Sequence, residues 1–290
     1  MKVLVTGGTG FTGEALLRGL SNRGDSVFAL HRPDGATPKD LAGVTPVAQD
    51  LAAPLGTSLP EEIDAVVHLA QSRRYRDFPD GAEDVFEVNA TATVRLLAWA
   101  RETGAKSFIY ASSGAVYPPG PEPARENQDT SPGNFYAASK LSGELACEQF
   151  RGQLTAHVLR FFFIYGPGQK DKFIPGVLGR ILRDQEVTLG GEEGIRVNPV
   201  YIDDVVQTAM GLLQEPQSMT LNVAGPDAVS LREVSELAGR LLGRTPRYAM
   251  ADSGQDVLGS IERLNDAGLG PRVSFAEGLR RTAAAMDSVQ

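Results

Sequence analysis

Tyr136 and Lys140 stand four residues apart in Tyr136-Ala137-Ala138-Ser139-Lys140, a spacing that sets both on one face of a helix. A free tyrosine ionises at a pKa of roughly 10, too high for an efficient base near neutrality, and a neighbouring ammonium favours the phenolate. Such a pair can take a proton from an alcohol while hydride leaves the same carbon, or give one back in the reverse direction. Hydride needs an acceptor, and the N-terminus offers a seat for one. Thr6-Gly7-Gly8-Thr9-Gly10-Phe11-Thr12-Gly13 places glycines at 7, 10 and 13, directly after an apolar run and at the opening of a helix. Gly7 permits a tight turn, Gly10 lets the backbone approach a pyrophosphate, and Gly13 allows close helix–strand packing. Phe11 and Thr12 lead into the helix, whose free N–H groups face the phosphate oxygens. In this context the turn reads as a dinucleotide site, with a purely structural turn as the alternative.

The second strand should end in the residue that reads the adenine ribose, about 20 residues on. Leu30 is followed there by His31 and Arg32, with no acidic side chain to bind ribose hydroxyls. Arg32 can meet a 2′-phosphate as a charge-assisted fork, which favours NADP over NAD; a solvated loop arginine is the competing reading. Asp50 and Leu51, after the third strand, are placed to contact the adenine. Upstream of the Tyr–Lys helix, Tyr110-Ala111-Ser112-Ser113-Gly114-Ala115-Val116-Tyr117 reads as a strand running into a serine-bearing loop.

The elements that must hold these residues alternate along the first half. Apolar runs at Val3–Val5, Ser26–Leu30, Val44–Val47, Ala65–Leu69, Phe108–Tyr110 and His157–Phe162 are separated by helical patterns at Gly13–Arg23, Val85–Thr103 and Phe135–Phe150. Strands alternating with amphipathic helices predict an α/β fold: a doubly wound, Rossmann-type parallel sheet with helices on both faces. After Tyr165 the pattern breaks at Gly166-Pro167-Gly168. Lys170 to Gly194 reads as a helix and a glycine-rich hairpin, Val200–Ile202 as a strand, Asp204–Leu213 as a helix, Thr220–Val223 as a strand, Leu231–Leu242 as a helix, and Pro271–Met286 as a strand and helix. The expected division is a dinucleotide-binding domain over 1–165, to which elements from about 199–223 return, and a smaller substrate-binding lobe over 166–198 and 224–290.

Bulk properties narrow the function classes. The 290 residues, 42% hydrophobic and 22% charged, are those of an ordinary globular protein. A net charge of −8 argues against a general nucleic-acid surface, which needs a clustered basic face. Cys147 is the single cysteine and His31, His68 and His157 are scattered, so no metal-ligand spacing exists. No stretch approaches the roughly 20 apolar residues that span a bilayer, and the first residues read as a strand rather than a leader, so a cytoplasmic location without membrane partners is expected.

Glycine turn, serine strand and Tyr–Lys helix, in that order, make the chain resemble the extended short-chain dehydrogenase/reductase family, the epimerases and dehydratases acting largely on nucleotide sugars. The resemblance runs over essentially the whole chain. Asn89 matches the family's structural asparagine. Leu159-Arg160 with Tyr165-Gly166-Pro167-Gly168-Gln169 matches its L-R…Y-G-P-G-Q segment, Val200-Tyr201-Ile202-Asp203-Asp204-Val205 its V-Y-V-D-D-V segment, and Asn222-Val223 with Gly225 the strand opening the C-terminal lobe. The resemblance implies that Ser113 hydrogen-bonds the reacting oxygen and that Ser112 lines the pocket beside it. It also implies that Lys140 hydrogen-bonds the nicotinamide ribose and that Leu69 and Ala70, after His68, form a backbone bed for the cofactor. Relatives dimerise through the helices matching Val85–Thr103 and Phe135–Phe150, so a homodimer is expected.

Three departures concern the substrate. Phe163 stands where nucleotide-sugar enzymes carry an asparagine near the diphosphate, and Val197 where they carry a phosphate-binding arginine; Arg196, Lys170, Lys172 or Arg180 are candidates to compensate. Gly114-Ala115 replace the Asp-Glu pair of sugar dehydratases, which disfavours water loss. The leading expectation is a sugar-nucleotide 4-epimerase. The alternatives are an NADPH-dependent ketoreductase of a sugar or other carbonyl substrate and a dinucleotide-sensing protein without turnover, the last opposed by the retained Tyr136 and Lys140.

Overall fold

A computed structural model of the chain describes residues 1–287. In chain order its elements are β1 (Lys2–Thr6), α1 (Phe11–Arg23), β2 (Ser26–His31), β3 (Val44–Ala48), β4 (Ala65–His68), α2 (Ala82–Phe86), a π-helical turn (Glu87–Thr91), α3 (Ala92–Glu102), β5 (Ser107–Ser113) and α4 (Phe135–Phe150). There follow β6 (Thr155–Phe161), α5 (Phe173–Leu182), β7 (Val187–Gly190), β8 (Arg196–Val197), α6 (Ile202–Leu212), β9 (Thr220–Val223), β10 (Val229–Ser230), α7 (Leu231–Leu242), β11 (Tyr248–Ala251), α8 (Glu262–Asp266) and α9 (Phe275–Asp287).

Seven strands form one sheet in the order β3-β2-β1-β4-β5-β6-β9. The pairings β2–β3, β1–β2, β1–β4 and β4–β5 are parallel, with Val5 level with Ala29 on one side and Val67 on the other. The order reverses between β1 and β4, the switch point at which such sheets bind ligands beyond their carboxyl ends. Central strands are buried on both faces: β4 is buried at all four positions and β5 at six of seven, which is why they read as continuous apolar runs. The core under α3 and α4 joins Leu4, Val66, Leu96, Leu97, Phe108, Tyr110 and Cys147. Cys147 is thus a packing residue whose thiol is pushed well up by burial.

Local chemistry sets the ends of the helices. α1 stops at Gly24, whose φ of 84° lets its N–H reach back to Leu20 and Ser21. α7 opens on a capping box between Ser230 and Glu233 and stops at Gly243, with φ 61°.

The chain divides into two compact units. One comprises Met1–Pro118, Asp129–Arg160 and Val206–Leu221; the other comprises Pro119–Gln128, Phe161–Val205 and the chain from Asn222 on. Three sequence expectations are corrected. Val187–Gly190 pairs in parallel with distant Tyr248–Ala251 instead of closing a hairpin. Tyr201 makes only an isolated bridge to Tyr165, and the helix already begins at Ile202. Among the described residues no strand forms after Pro271, because Asp204 takes the Arg272 and Val273 N–H groups at 2.9 and 3.1 Å, where a ladder would have needed a partner strand.

Candidate active site

The glycine turn joins the ends of β1 and β4. Gly7 has φ 71°, and a Cβ on it would lie 2.8 Å from Ala70 N. A Cβ on Gly13 would lie 2.1 Å from Gly7 O, so the helix can seat on the strand only with glycine there. Gly10 is the N-cap of α1 and carries no side-chain cap, so the N–H groups of the first turn, which includes Phe11 and Thr12, receive no capping side chain. Its missing Cβ would meet only Gly7 O, at 3.2 Å. A backbone cradle bare of side chains at a helix N-terminus fits a pyrophosphate. Thr6 Oγ1 ties the bed together, accepting from Ala70 N at 3.1 Å and bonding His68 Nδ1 at 2.7 Å. His68 is fully buried, also bonds Thr93, and is held down to about 3 first by burial and then by the Lys140 charge. It is a neutral structural residue.

At the end of β2, His31 Nδ1 is tied to the Arg32 carbonyl at 2.9 Å. Arg32 is exposed, and its guanidinium makes no hydrogen bond or ion pair among the described residues. The pair after β3 separates. Asp50 is exposed and accepts from Ala52 N at 3.0 Å, whereas the Leu51 side chain is buried in the core, which leaves its backbone for the adenine expected there.

Asn134 caps α4, its Oδ1 accepting from Ala137 N at 2.9 Å, and so fixes the first turn that carries Tyr136. The Tyr136 hydroxyl donates to Gln71 Oε1 at 3.2 Å, and Ser113 at the end of β5 is near enough to the phenol to favour its ionised form. Lys140, 1% exposed, sits one turn on and donates from Nζ to Ala111 O at 2.8 Å. Tyr136, Ser113 and Lys140 are thus gathered around the C-terminal end of β5. The electrostatics differ from the expectation that Lys140 makes Tyr136 acidic. Burial pushes the phenol up to about 12, the Ser113 hydrogen bond only partly offsetting it. Burial likewise pulls Lys140 down to about 7, against the Glu144 charge that raises it. In the protein by itself desolvation outweighs the mutual effect of the two residues.

One turn beyond Lys140 lies a cluster that the motif does not contain. Glu144 accepts from Arg160 Nε at 3.0 and 3.1 Å and from Nη2 at 2.6 Å, and from Ser112 Oγ. Arg160 also reaches the Tyr117 hydroxyl and lies over its ring at 4.7 Å. Burial alone would lower Arg160, but the hydrogen bonds and charge of Glu144 hold it above the ordinary arginine value. Ser112 is therefore corrected: it is 4% exposed and committed to Glu144, not a pocket wall. Tyr136, Lys140 and Glu144 follow at i, i+4 and i+8, which is the signal that could have found Glu144.

A cavity of about 550 Å³ opens beside Tyr136, lined among others by Arg74, Tyr75, Phe78, Asn134 and Phe135. The Tyr75 and Tyr136 rings are 5.3 Å apart. The remaining two predicted residues belong to the other unit. Phe163 packs on Phe173 at 5.1 Å with φ 44°, a left-handed backbone that suits asparagine better than a bulky ring. Arg196 is corrected as a free anion ligand: Asp256 takes its Nε and Nη2 at 2.8 Å and Pro121 O its Nη2 at 2.9 Å. Val197 is fully buried. Among the described residues no group of acidic, histidine or cysteine side chains could hold a metal, and no helix is long and apolar enough to cross a membrane.

The sequence profile described as the NAD dependent epimerase/dehydratase family matches residues 3–224. A GDP-6-deoxy-D-mannose reductase of Pseudomonas aeruginosa is 30% identical, over 96% of this chain and 95% of its own. An uncharacterized UDP-glucose epimerase of Bacillus subtilis is 28% identical, over 87% and 85%. The structure of a Thermus thermophilus UDP-glucose 4-epimerase complex with NAD superposes with a TM-score of 0.83 at 29% identity, covering the whole of both chains.

Proposed function

The chain belongs to the NAD-dependent epimerase/dehydratase family, and from that premise we propose that it is an NAD(P)-dependent 4-epimerase of a nucleotide sugar. The observation that carries this reading is the gathering of Tyr136, Ser113 and Lys140 at the C-terminal end of β5, on the same sheet as the bare glycine cradle that follows β1. Gly7, Gly10, Phe11, Thr12 and Gly13 would hold the pyrophosphate, with Leu69 and Ala70 beneath. The dinucleotide, when bound, supplies a reversible hydride acceptor. Tyr136 takes the proton of the substrate hydroxyl as the carbon is oxidised and returns it as the ketone is reduced on its other face, so no net proton or electron is consumed. Ser113 holds the reacting oxygen. Lys140, held by Ala111 O in the protein by itself, would hydrogen-bond the ribose of the bound dinucleotide and set positive charge beside the phenol. Arg32, exposed and without a partner among the described residues, supports NADP over NAD, although the Thermus relative is described with NAD.

The enzyme on this reading is a cytoplasmic homodimer. Phe86 and Leu145 are 46% and 61% exposed and Val94 47%, large apolar side chains on the two helical segments expected to meet a second copy.

The test is incubation of purified protein with UDP-glucose, UDP-galactose and their N-acetyl forms without added reductant, with Tyr136→Phe as control. Interconversion that disappears in the control supports the epimerase. Stoichiometric NADPH consumption on a keto-sugar nucleotide, with no interconversion, replaces it by the reductase.

A further inference from the structure

We propose that Gln71 is a positioning residue for proton transfer at Tyr136, its side-chain amide serving the phenol in both protonation states. The inference rests on Tyr136 as the proton-transfer group and follows from counting hydrogens. A phenol has one, and Tyr136 gives it to Gln71 Oε1 at 3.2 Å. Ser113 Oγ already accepts from Ala115 N at 3.2 Å, so its own proton is free for the phenol oxygen in the absence of substrate and for the reacting oxygen in its presence. Every hydrogen is then assigned, but only for the neutral phenol. Once the phenol has lost its proton, a carbonyl oxygen facing it is repulsive. Rotation of the amide about its last torsion presents Nε2–H instead. Nε2 makes no hydrogen bond among the described residues, so nothing pins the amide in one orientation. A carboxylate or a thioether at this position lacks one or both of these roles.

Gln71 is half-buried and directly follows the Leu69-Ala70 bed at the end of β4, so the strand that shapes the glycine cradle also delivers the amide to the reacting oxygen. The other groups facing the phenol are Ser113 from β5 and Tyr75 from the segment after β4, and Lys140, one turn on in α4, is held at Ala111 O; all are unchanged in the variants below.

The test reads the phenol directly. Fluorotyrosine is incorporated, which makes the phenols more acidic, and the 19F signal of residue 136 is assigned among the seven tyrosines by its loss in Tyr136→Phe. Its pH midpoint is compared in the wild type, Gln71→Met and Gln71→Glu, with folding confirmed by circular dichroism. A hydrogen bond to a charged group is worth more than one to a neutral group, so the midpoint should rise by about one unit in Gln71→Met. It should rise further in Gln71→Glu, where a like charge is added. The pH–rate profile of turnover should move in the same order. Coincident midpoints in all three proteins, or a lower one in Gln71→Met, overturn the proposal and leave Gln71 a packing residue. Because the 19F titration needs no substrate, a failure to interconvert nucleotide sugars refutes the functional reading without touching this one.

Discussion

Glu144→Ala should cost the protein a large share of its stability. The carboxylate is 7% exposed and its partner Arg160 8%, so little solvent is at hand to replace what is lost. The substitution takes three hydrogen bonds from a buried guanidinium and one acceptor from Ser112, while the Tyr117 hydroxyl and ring remain with Arg160. Removing one partner of a buried pair costs about 3–5 kcal/mol, mostly the penalty of the charge left behind. The retained Tyr117 contact places Glu144→Ala toward the lower end. Against a total stability of roughly 5–15 kcal/mol this is a large share. Arg160→Met should cost a similar amount, because it strands the carboxylate. The double variant Glu144→Leu with Arg160→Met removes both charges and should lie within about 1–2 kcal/mol of wild type, as apolar replacements of whole buried pairs often do. Urea unfolding of the wild type, the singles and the double gives the coupling energy. Single variants that lose less than about 1 kcal/mol, or a double variant equal to the sum of the singles, would refute the argument.

Gly13→Ala should distort the cradle, since its Cβ meets backbone at 2.1 Å; a cost of about 1–3 kcal/mol and dinucleotide binding roughly tenfold weaker or worse are expected, read by thermal melting and by NADH and NADPH fluorescence titration. Arg32→Ala should weaken NADPH by about 10- to 100-fold and leave NADH nearly unchanged, the value of a charge-assisted fork; equal effects on both would return Arg32 to the solvated loop. Lys140 is held at about 7 by burial, against an ordinary 10.5. The unfolded chain therefore binds more protons across that window, so this residue's contribution to stability grows as pH rises from about 7 toward 10.5 and is lost as pH falls to 7. The stability difference between wild type and Lys140→Met, from urea midpoints at several pH values, should follow that slope, and a flat difference would contradict it.

What the sequence made legible was local. The helices Phe135–Phe150 and Leu231–Leu242 and the strand Thr220–Val223 were readable to the residue, because apolar period and end signals coincide there. Gly7, Gly10 and Gly13, and Tyr136 with Lys140, were readable because each motif lies within one turn or one helix. Distant partners stayed hidden. Nothing near Arg196 announces Asp256, 60 residues away. The pairing of Val187–Gly190 with Tyr248–Ala251 is of the same kind. Ser112 and Ser113 are adjacent and chemically alike, and only the fold sends one to Glu144 and the other to Tyr136. The expected acidification of Tyr136 failed for another reason: counting charges in sequence omits desolvation, which here is the larger effect.

The π-helical turn at Glu87–Thr91 can be regarded as a phase correction. A helix advances about 100° per residue, so apolar positions chosen for one face drift out of alignment unless their spacing matches the winding. Val85 before the turn and Leu96 after it both point inward, 3% and 0% exposed, on a run interrupted by one wide turn. At that interruption Asn89 is turned in, its side chain between Ser72 N and Ser139 Oγ and its carbonyl under the Tyr110 hydroxyl. The wide turn takes up one residue more than regular winding would, so deleting a single residue from 87–91 should let the run close as an ordinary helix with Val85 and Leu96 still facing inward. What such a deletion would lose is the inward reach of Asn89 to Ser72 and Ser139. The same length change placed in the regularly wound stretch after Ala92 would instead turn everything upstream by about 100°.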